Sequence, residues 1–163
     1  NEEGLIWFLK EVLCKIQIEV VFNIIGSGKC SNELGVLIES TNRINLIGYV
    51  ESLTDHYLNA DIVVIPILSG SGTRLKALEA MKYQKAIVST AKGVEGIEII
   101  EQIKIENNPT RMATVITSLL QNDVERTELG LKAKLLAEQK YDWNVIGQII
   151  KKSINSNVSA KVR

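Results

Sequence analysis

Pro66-Ile67-Leu68-Ser69-Gly70-Ser71-Gly72-Thr73-Arg74-Leu75-Lys76-Ala77-Leu78-Glu79-Ala80-Met81 begins where a buried strand, Ile62 to Ile65, should end, and it finishes inside a helix. Between the two lies a loop of glycines and small hydroxyl residues, followed by Arg74, Lys76 and Glu79. Gly70 and Gly72 let the backbone take positive φ and come close to a ligand. Free N–H groups at the start of the next helix favour an anion, helped by the helix dipole. Arg74 and Lys76 add positive charge suited to a diphosphate. Glu79 only accepts hydrogen bonds when ionised, which suits a pair of sugar hydroxyls. Together these residue types describe a pocket for a nucleoside diphosphate. An ordinary strand-to-helix turn with a solvated basic face fits the same residues.

Length and composition frame the rest. The 163 residues suffice for one domain with a core, and 45% hydrophobic with 23% charged residues is ordinary for a soluble protein. Nineteen basic residues balance nineteen acidic ones, so no overall field points to nucleic acid. No apolar run approaches the roughly 20 residues that cross a bilayer. The acidic opening, Asn1-Glu2-Glu3-Gly4, lacks the basic region of a signal peptide. Cys14 and Cys30 have no metal-ligand spacing and read as reduced core or loop residues of a cytosolic protein; no metal is expected.

Leu5, Phe8, Leu9, Val12, Leu13 and Ile16 recur at helical spacing, predicting an amphipathic helix over 4–16. Val20 to Ile25 is a β-branched run ending at Gly26-Ser27-Gly28, and so predicts a strand and tight loop. Ser31 is a candidate N-cap for a helix to about Glu39 with Leu34, Leu37 and Ile38 inward. Ile44 to Ile47 predicts a second strand. Ser52 is expected to cap a short helix with Leu53, Tyr57 and Leu58 on one side. Asp61 to Ile65 predicts a third strand, Thr73 to Tyr83 a helix, Ala86 to Ser89 a fourth strand and Ile103 to Ile105 a weak fifth. Pro109 suits the first turn of a helix to Leu120. Asp123 is expected to cap a helix to about Glu138, with Leu129, Ala133, Leu136 and Ala137 inward. A last helix follows Tyr141-Asp142-Trp143, with Val145, Ile146, Ile149 and Ile150 on one face. Residues 1–154 form one domain and 155–163 a polar, frayed tail.

Apolar strands alternating with helices predict an α/β fold: one parallel sheet covered by helices on both faces, followed by C-terminal helices. Ligands of such sheets bind beyond the carboxyl ends of the strands. Gly26 to Gly28, Gly48 to Val50, Ser69 to Arg74 and Gly93 to Gly96 all follow strands and should share one rim.

The ordered set Ile24-Ile25-Gly26-Ser27-Gly28, Ile47-Gly48-Tyr49-Val50, Ala60 to Pro66, Gly70 to Met81, Ala86 to Thr90 and Gly93 to Ile97 resembles one known family. It is similar to the C-terminal, donor-binding domain of a GT-B glycosyltransferase, nearest the retaining family 4, and the closing Tyr141-Asp142-Trp143 helix fits the pattern. The resemblance runs from about Gly4 to Ile150. It implies a Rossmann-like fold, one half of a GT-B enzyme that transfers a sugar from a nucleoside diphosphate to an acceptor of the cell-surface glycan type. It implies that Glu79 holds the donor ribose and that Gly70, Ser71, Gly72, Thr73 and Arg74 meet the diphosphate and sugar. Lys76 is a second phosphate candidate, and Arg74 and Lys76 are the implied catalytic pair. Tyr49 and Val50 would edge the base, while Gly26 and Gly28 line the cleft. No cofactor is implied beyond the donor substrate.

Two departures qualify the match. Ser71 stands eight residues before Glu79, where the commoner pattern has a glutamate. The acceptor-binding half, which would carry any contact with the inner face of the membrane, is absent, so the isolated domain is expected to be inactive. A non-catalytic nucleotide-binding or interaction module of the same fold is the alternative.

Other chemistries fit poorly. Ser31 replaces the third glycine of a dinucleotide fingerprint, no P-loop spacing occurs, and no Ser-His-Asp or Cys-His set comes together. A receiver domain would need clustered acids where Gly26-Ser27-Gly28 stands. His56 reads as solvated, Glu95 as an exposed loop carboxylate, Trp7 and Trp143 as packing residues and Cys14 as inert.

Overall fold

A computed structural model describes residues 1–98 and 101–161 of the chain, with side chains placed through 152. Strands β1 (Phe22–Ile25), β2 (Ile44–Gly48), β3 (Ile62–Ile65), β4 (Ala86–Ser89) and β5 (Lys104–Ile105) carry the sheet structure. They alternate with α1 (Glu2–Trp7), α2 (Asn32–Glu39), α3 (Thr54–Asn59) and α4 (Leu75–Lys82). Three helices close the chain: α5 (Pro109–Leu120), α6 (Asp123–Lys140) and α7 (Trp143–Lys161). Every strand pair is parallel, and the fold is a Rossmann-like α/β arrangement.

The pairing departs from the one sheet expected. β1 pairs with β2, and β3, β4 and β5 form a second ladder in that order; among the described residues no ladder joins β1 to β3. The chain reverses its direction across the fold between β2 and β3. There the two halves meet through side chains rather than backbone hydrogen bonds. Phe22 and Ile24 of β1 share a cluster with Ile62 and Val64 of β3, beneath the buried Phe8, Val12, Met112 and Ile116. The register of β1 on β2 also slips between Ile24 and Ile25, so Ile25 meets Gly48.

β4 is wholly buried and divides its side chains by strand period. Ala86 and Val88 enter the first cluster, while Ile87 enters a second with Ile65, Ala77, Met81, Ala133 and Leu136. β1 and β2 carry one exposed polar rung. Their outward rung pairs Asn23 with Asn45, whose exposed side chains hydrogen-bond at 3.2 Å.

The first helix also differs from the regular one expected. After α1 it widens to a π-type turn over Phe8–Val12 and tightens to a 3₁₀ turn over Leu13–Lys15. The change of pitch brings Phe8, Leu9, Val12, Leu13 and Ile16 all into the core. Cys14 falls on the exposed side, with its Sγ toward Lys10 O, and Cys30 is exposed and free.

Side-chain caps fix the starts of α2, α5 and α6. Ser31 Oγ accepts from Leu34 N at 3.3 Å, and Asn108 Oδ1 from Arg111 N at 3.0 Å with Pro109 in the first turn. The α6 cap is Asn122, not Asp123, and accepts from Glu125 N at 3.1 Å. Ser52 accepts from Thr54 N, but the residue in the cap position of α3 is Leu53. Leu58, Ile149 and Ile150 are exposed rather than inward, and Trp143 is 84% exposed rather than packed. The expected frayed tail over 155–163 lies outside the residues whose side chains are described. No helix among the described residues is long and apolar enough to cross a membrane.

Candidate functional site

The loop after β3 is built as its sequence suggests. Gly70 and Gly72 hold φ of 109° and 104°, a region that side chains other than glycine avoid. Gly70, Ser71, Gly72 and Thr73 are exposed, and their N–H groups make no hydrogen bond among the described residues. Such a row of free donors ahead of α4 is suited to an anion.

Arg74, at the N-cap of α4, is the one charged residue buried here: its side chain is 6% exposed. One Nη2 donates to Gly70 O at 3.2 Å, which braces the loop, and to Glu95 Oε2 at 3.0 Å. Its Nε is buried with no hydrogen-bond partner among the described residues. An unpaired buried donor costs about 1–3 kcal/mol, so the position is unfavourable until something accepts from it. Glu95, expected as a plain loop carboxylate, also accepts from Lys92 Nζ at 2.7 Å. Lys92 first, then Arg74, hold its carboxyl below the ordinary range. The turn Lys92–Val94 that carries Lys92 is locked by close packing: a Cβ on Gly93 would stand 2.3 Å from Ser89 Oγ and 2.8 Å from Ile65 O.

Lys76 is exposed on the first turn of α4 and has no partner among the described residues. Glu79, one turn further, is half-buried and accepts from Tyr57 Oη at 3.2 Å through Oε2. Its other oxygen accepts nothing from the described residues. Tyr57 is fixed in turn. Its ring stacks on Tyr83 with centroids 5.0 Å apart, and Tyr83 Oη shares a hydrogen bond with Thr54 Oγ1 at 2.8 Å. Lys85 Nζ caps the end of α3 by donating to Leu58 O and Ala60 O, both at 2.9 Å. Burial first and the Glu79 charge second push the Tyr57 phenol well above its ordinary range, so it remains a donor at neutral pH.

The loops of the first ladder meet through Gly26 N, which donates to Gly48 O at 2.9 Å. Gly28 holds φ of 143°, and Tyr49 is exposed beside the half-buried Val50. No direct hydrogen bond links Gly26, Gly28, Tyr49 or Val50 to Arg74, Lys76 or Glu79 among the described residues. Two neighbouring acids on α1 span the interval instead. Glu2 Oε1 accepts from Ser31 N at 3.1 Å, and Glu3 Oε2 from Ser69 Oγ at 2.7 Å. Gly4, next in line, seats α1 directly on the loop: a Cβ there would lie 1.7 Å from Pro66 O.

Sequence reasoning missed Tyr57, Lys92, Glu2 and Glu3 as contributors to this rim. Tyr57 stood out only as an apolar-side residue of α3.

Comparison with known proteins shows the family. The chain is 33% identical to an uncharacterised 44.6 kDa protein in the cps region of Klebsiella pneumoniae, over 87% of this chain and 39% of the relative. A mutant of S. aureus TarM, solved with Fondaparinux, alpha-GlcNAc-glycerol and UDP, matches 94% of this chain at 26% identity and a TM-score of 0.73. A second TarM structure matches 93% at 24% identity and a TM-score of 0.72. This chain spans about a third of either TarM chain, at 32% each. The family pattern described as Glycosyl transferases group 1 matches residues 1–122, three-quarters of the sequence. The chain therefore belongs to the group 1 glycosyl transferases.

Proposed function

We propose that this chain is the donor-binding half of a GT-B glycosyltransferase and holds a nucleoside diphosphate sugar at the rim formed by the loops after β1, β2, β3 and β4. The observation that carries the proposal is the loop after β3, with its unpaired N–H groups and the buried Arg74 whose Nε lacks an acceptor. A diphosphate supplies the acceptors and charge that both require. Glu79, steadied by Tyr57, has one oxygen left for a ribose hydroxyl. Tyr49, Val50, Gly26 and Gly28 then border the base and cleft. The UDP in a similar structure is a ligand of this class.

The whole protein would transfer the sugar to an acceptor, of the cell-surface glycan type, held by a second domain that also makes any contact with the inner face of a membrane. Arg74, Lys76 and the loop N–H groups would stabilise the departing diphosphate, and domain closure would exclude water. Retention of configuration at the sugar is taken from the family resemblance, and in this reading the isolated half does not turn over. Glu79 positions and does not move a proton.

Calorimetric titration of the chain with UDP, GDP and ADP tests this. Selective binding of one nucleotide, weakened by Arg74→Ala or Glu79→Ala, is expected; binding of none, or binding indifferent to both changes, refutes it. Ser71, in place of the commoner glutamate, favours a second reading as a nucleotide-binding module without turnover. Sugar transfer by the complete protein would exclude that.

A further inference from the structure

Glu95 occupies a place suited to a ligand anion. Its Oε2 accepts from Arg74 Nη2 at 3.0 Å and from Lys92 Nζ at 2.7 Å. One oxygen between a guanidinium and an ammonium is the arrangement that a phosphate oxygen also takes. The cations come from different elements, the start of α4 and the turn Lys92–Val94 after β4.

The partners differ in freedom. The Arg74 side chain is 6% exposed and pinned to Gly70 O, whereas that of Glu95 is 57% exposed. Glu95 is followed by Gly96 at φ 84°, a conformation open to glycine. The carboxylate can leave for water, but the guanidinium cannot. Only the Glu95 end of the pair is open to water, and an incoming polyanion displaces it at small cost because its own oxygen takes over the bond from the buried guanidinium. A cleft of about 440 Å³ opens beside the group, with Lys92 and Glu95 among its lining residues along with Ile67, Thr90 and Asn107. The unpartnered Arg74 Nε is an independent sign that the guanidinium's bonding is incomplete in the free chain.

We propose that Arg74 and Lys92 form an anion subsite for the diphosphate of a nucleotide ligand, and that Glu95 is its resident counter-anion, displaced when the ligand binds. The proposal rests on the donor-binding reading above and adds Lys92 as a binding residue and Glu95 as a guard. With Glu95 in place the subsite offers one net positive charge rather than two. Singly charged anions then gain little by entering, while a diphosphate, with several charges and acceptors, still does.

The test is calorimetric titration of the wild-type chain, Glu95→Gln and Lys92→Ala with inorganic pyrophosphate and with UDP, GDP and ADP. The Arg74 Nε–H resonance, followed by NMR, reports that each variant is folded around the guanidinium. Glu95→Gln is expected to bind pyrophosphate about ten-fold more tightly than wild type and Lys92→Ala about ten-fold more weakly, as for gain and loss of a charge-assisted contact. If folded Glu95→Gln binds pyrophosphate no better than wild type, Glu95 is a structural brace and the proposal fails, even where a nucleotide binds normally. If pyrophosphate follows the expected order but none of the three nucleotides binds, the anion subsite stands and the donor reading fails.

Discussion

Gly4→Ala should destabilise the chain, against the ordinary preference of helices for alanine. The new Cβ would lie 1.7 Å from Pro66 O, 2.8 Å from Pro66 C and 3.3 Å from Ile67 Cα. All three are backbone atoms at the start of the ligand loop, so no side chain can turn aside. α1 must withdraw by more than an ångström, and Phe8, Leu9 and Val12, which follow it into the core, lose contact with it. Overpacking of this sort costs about 1–3 kcal/mol, and the obstruction by backbone puts Gly4 at the upper end. Alanine recovers roughly 0.8–1 kcal/mol of helix propensity. The net expectation is a loss of about 1–2 kcal/mol. Gly35→Ala is the control: it lies within α2, and its Cβ would meet nothing within 4 Å, so propensity alone should act. It should therefore stabilise by about 0.5–1 kcal/mol. Urea unfolding of the three proteins, with unchanged dependence on denaturant, reads both numbers. Should Gly4→Ala stabilise as Gly35→Ala does, α1 is not seated on the loop and the reasoning is wrong.

Three further expectations are open to direct measurement. Tyr57→Phe removes the donor that steadies Glu79 and should weaken nucleoside diphosphate binding about 3–10-fold, less than Glu79→Gln. A 2′,3′-dideoxy nucleotide should show neither effect; equal losses with it would deny Glu79 a ribose partner. Gln84 holds φ of 56° in the turn after α4, so Gln84→Gly should raise stability by about 0.5–1 kcal/mol in thermal or urea melts. For pH, the Glu95 carboxyl is lowered in the folded chain, chiefly by its hydrogen bond from Lys92. Its contribution to stability is complete above the unfolded value of 4.5 and is lost as pH falls below that through the folded value. Stability profiles of wild type and Glu95→Gln should therefore converge on acidification, and parallel profiles would argue against the pairing.

Much of the fold was legible because its signals are local. Runs such as Ile62 to Ile65 and Ala86 to Ser89 mark strands whichever neighbours they find, and Ser31, Asn108 and Pro109 act on helix ends a few residues away. Pairing across the fold is not local. Nothing in Val20 to Ile25 states that its far edge lacks a ladder to β3. The stripe Val145, Ile146, Ile149 and Ile150 announces an apolar helix face but not what covers it, and Ile149 and Ile150 are exposed. Asn122 and Asp123 are equally good capping residues side by side, and composition cannot choose between them.

The candidate site divides in the same way. Gly70, Gly72, Arg74 and Glu79 lie within ten residues, and strand, turn and helix signals set their order. The partners that give these residues their state come from elsewhere: Tyr57 is 22 positions from Glu79, Glu95 is 21 from Arg74, and Glu3 is 66 from Ser69. Glu95 read as an ordinary surface acid because residue type and loop position say nothing of a buried guanidinium beneath it.

The seam between β1 and β3 has a consequence for the protection of backbone amides. β4 is hydrogen-bonded on both sides and wholly buried, so its amides should open only when the chain unfolds as a whole. The amides of β1 and β3 that point into the seam have no ladder to break. Deuterium should reach them by small separations of the two halves, which α1 limits through Glu2 on one side and Glu3 on the other. Exchange along this line beneath the candidate ligand rim would then be more rapid than in β4, and a ligand spanning both halves would slow it there.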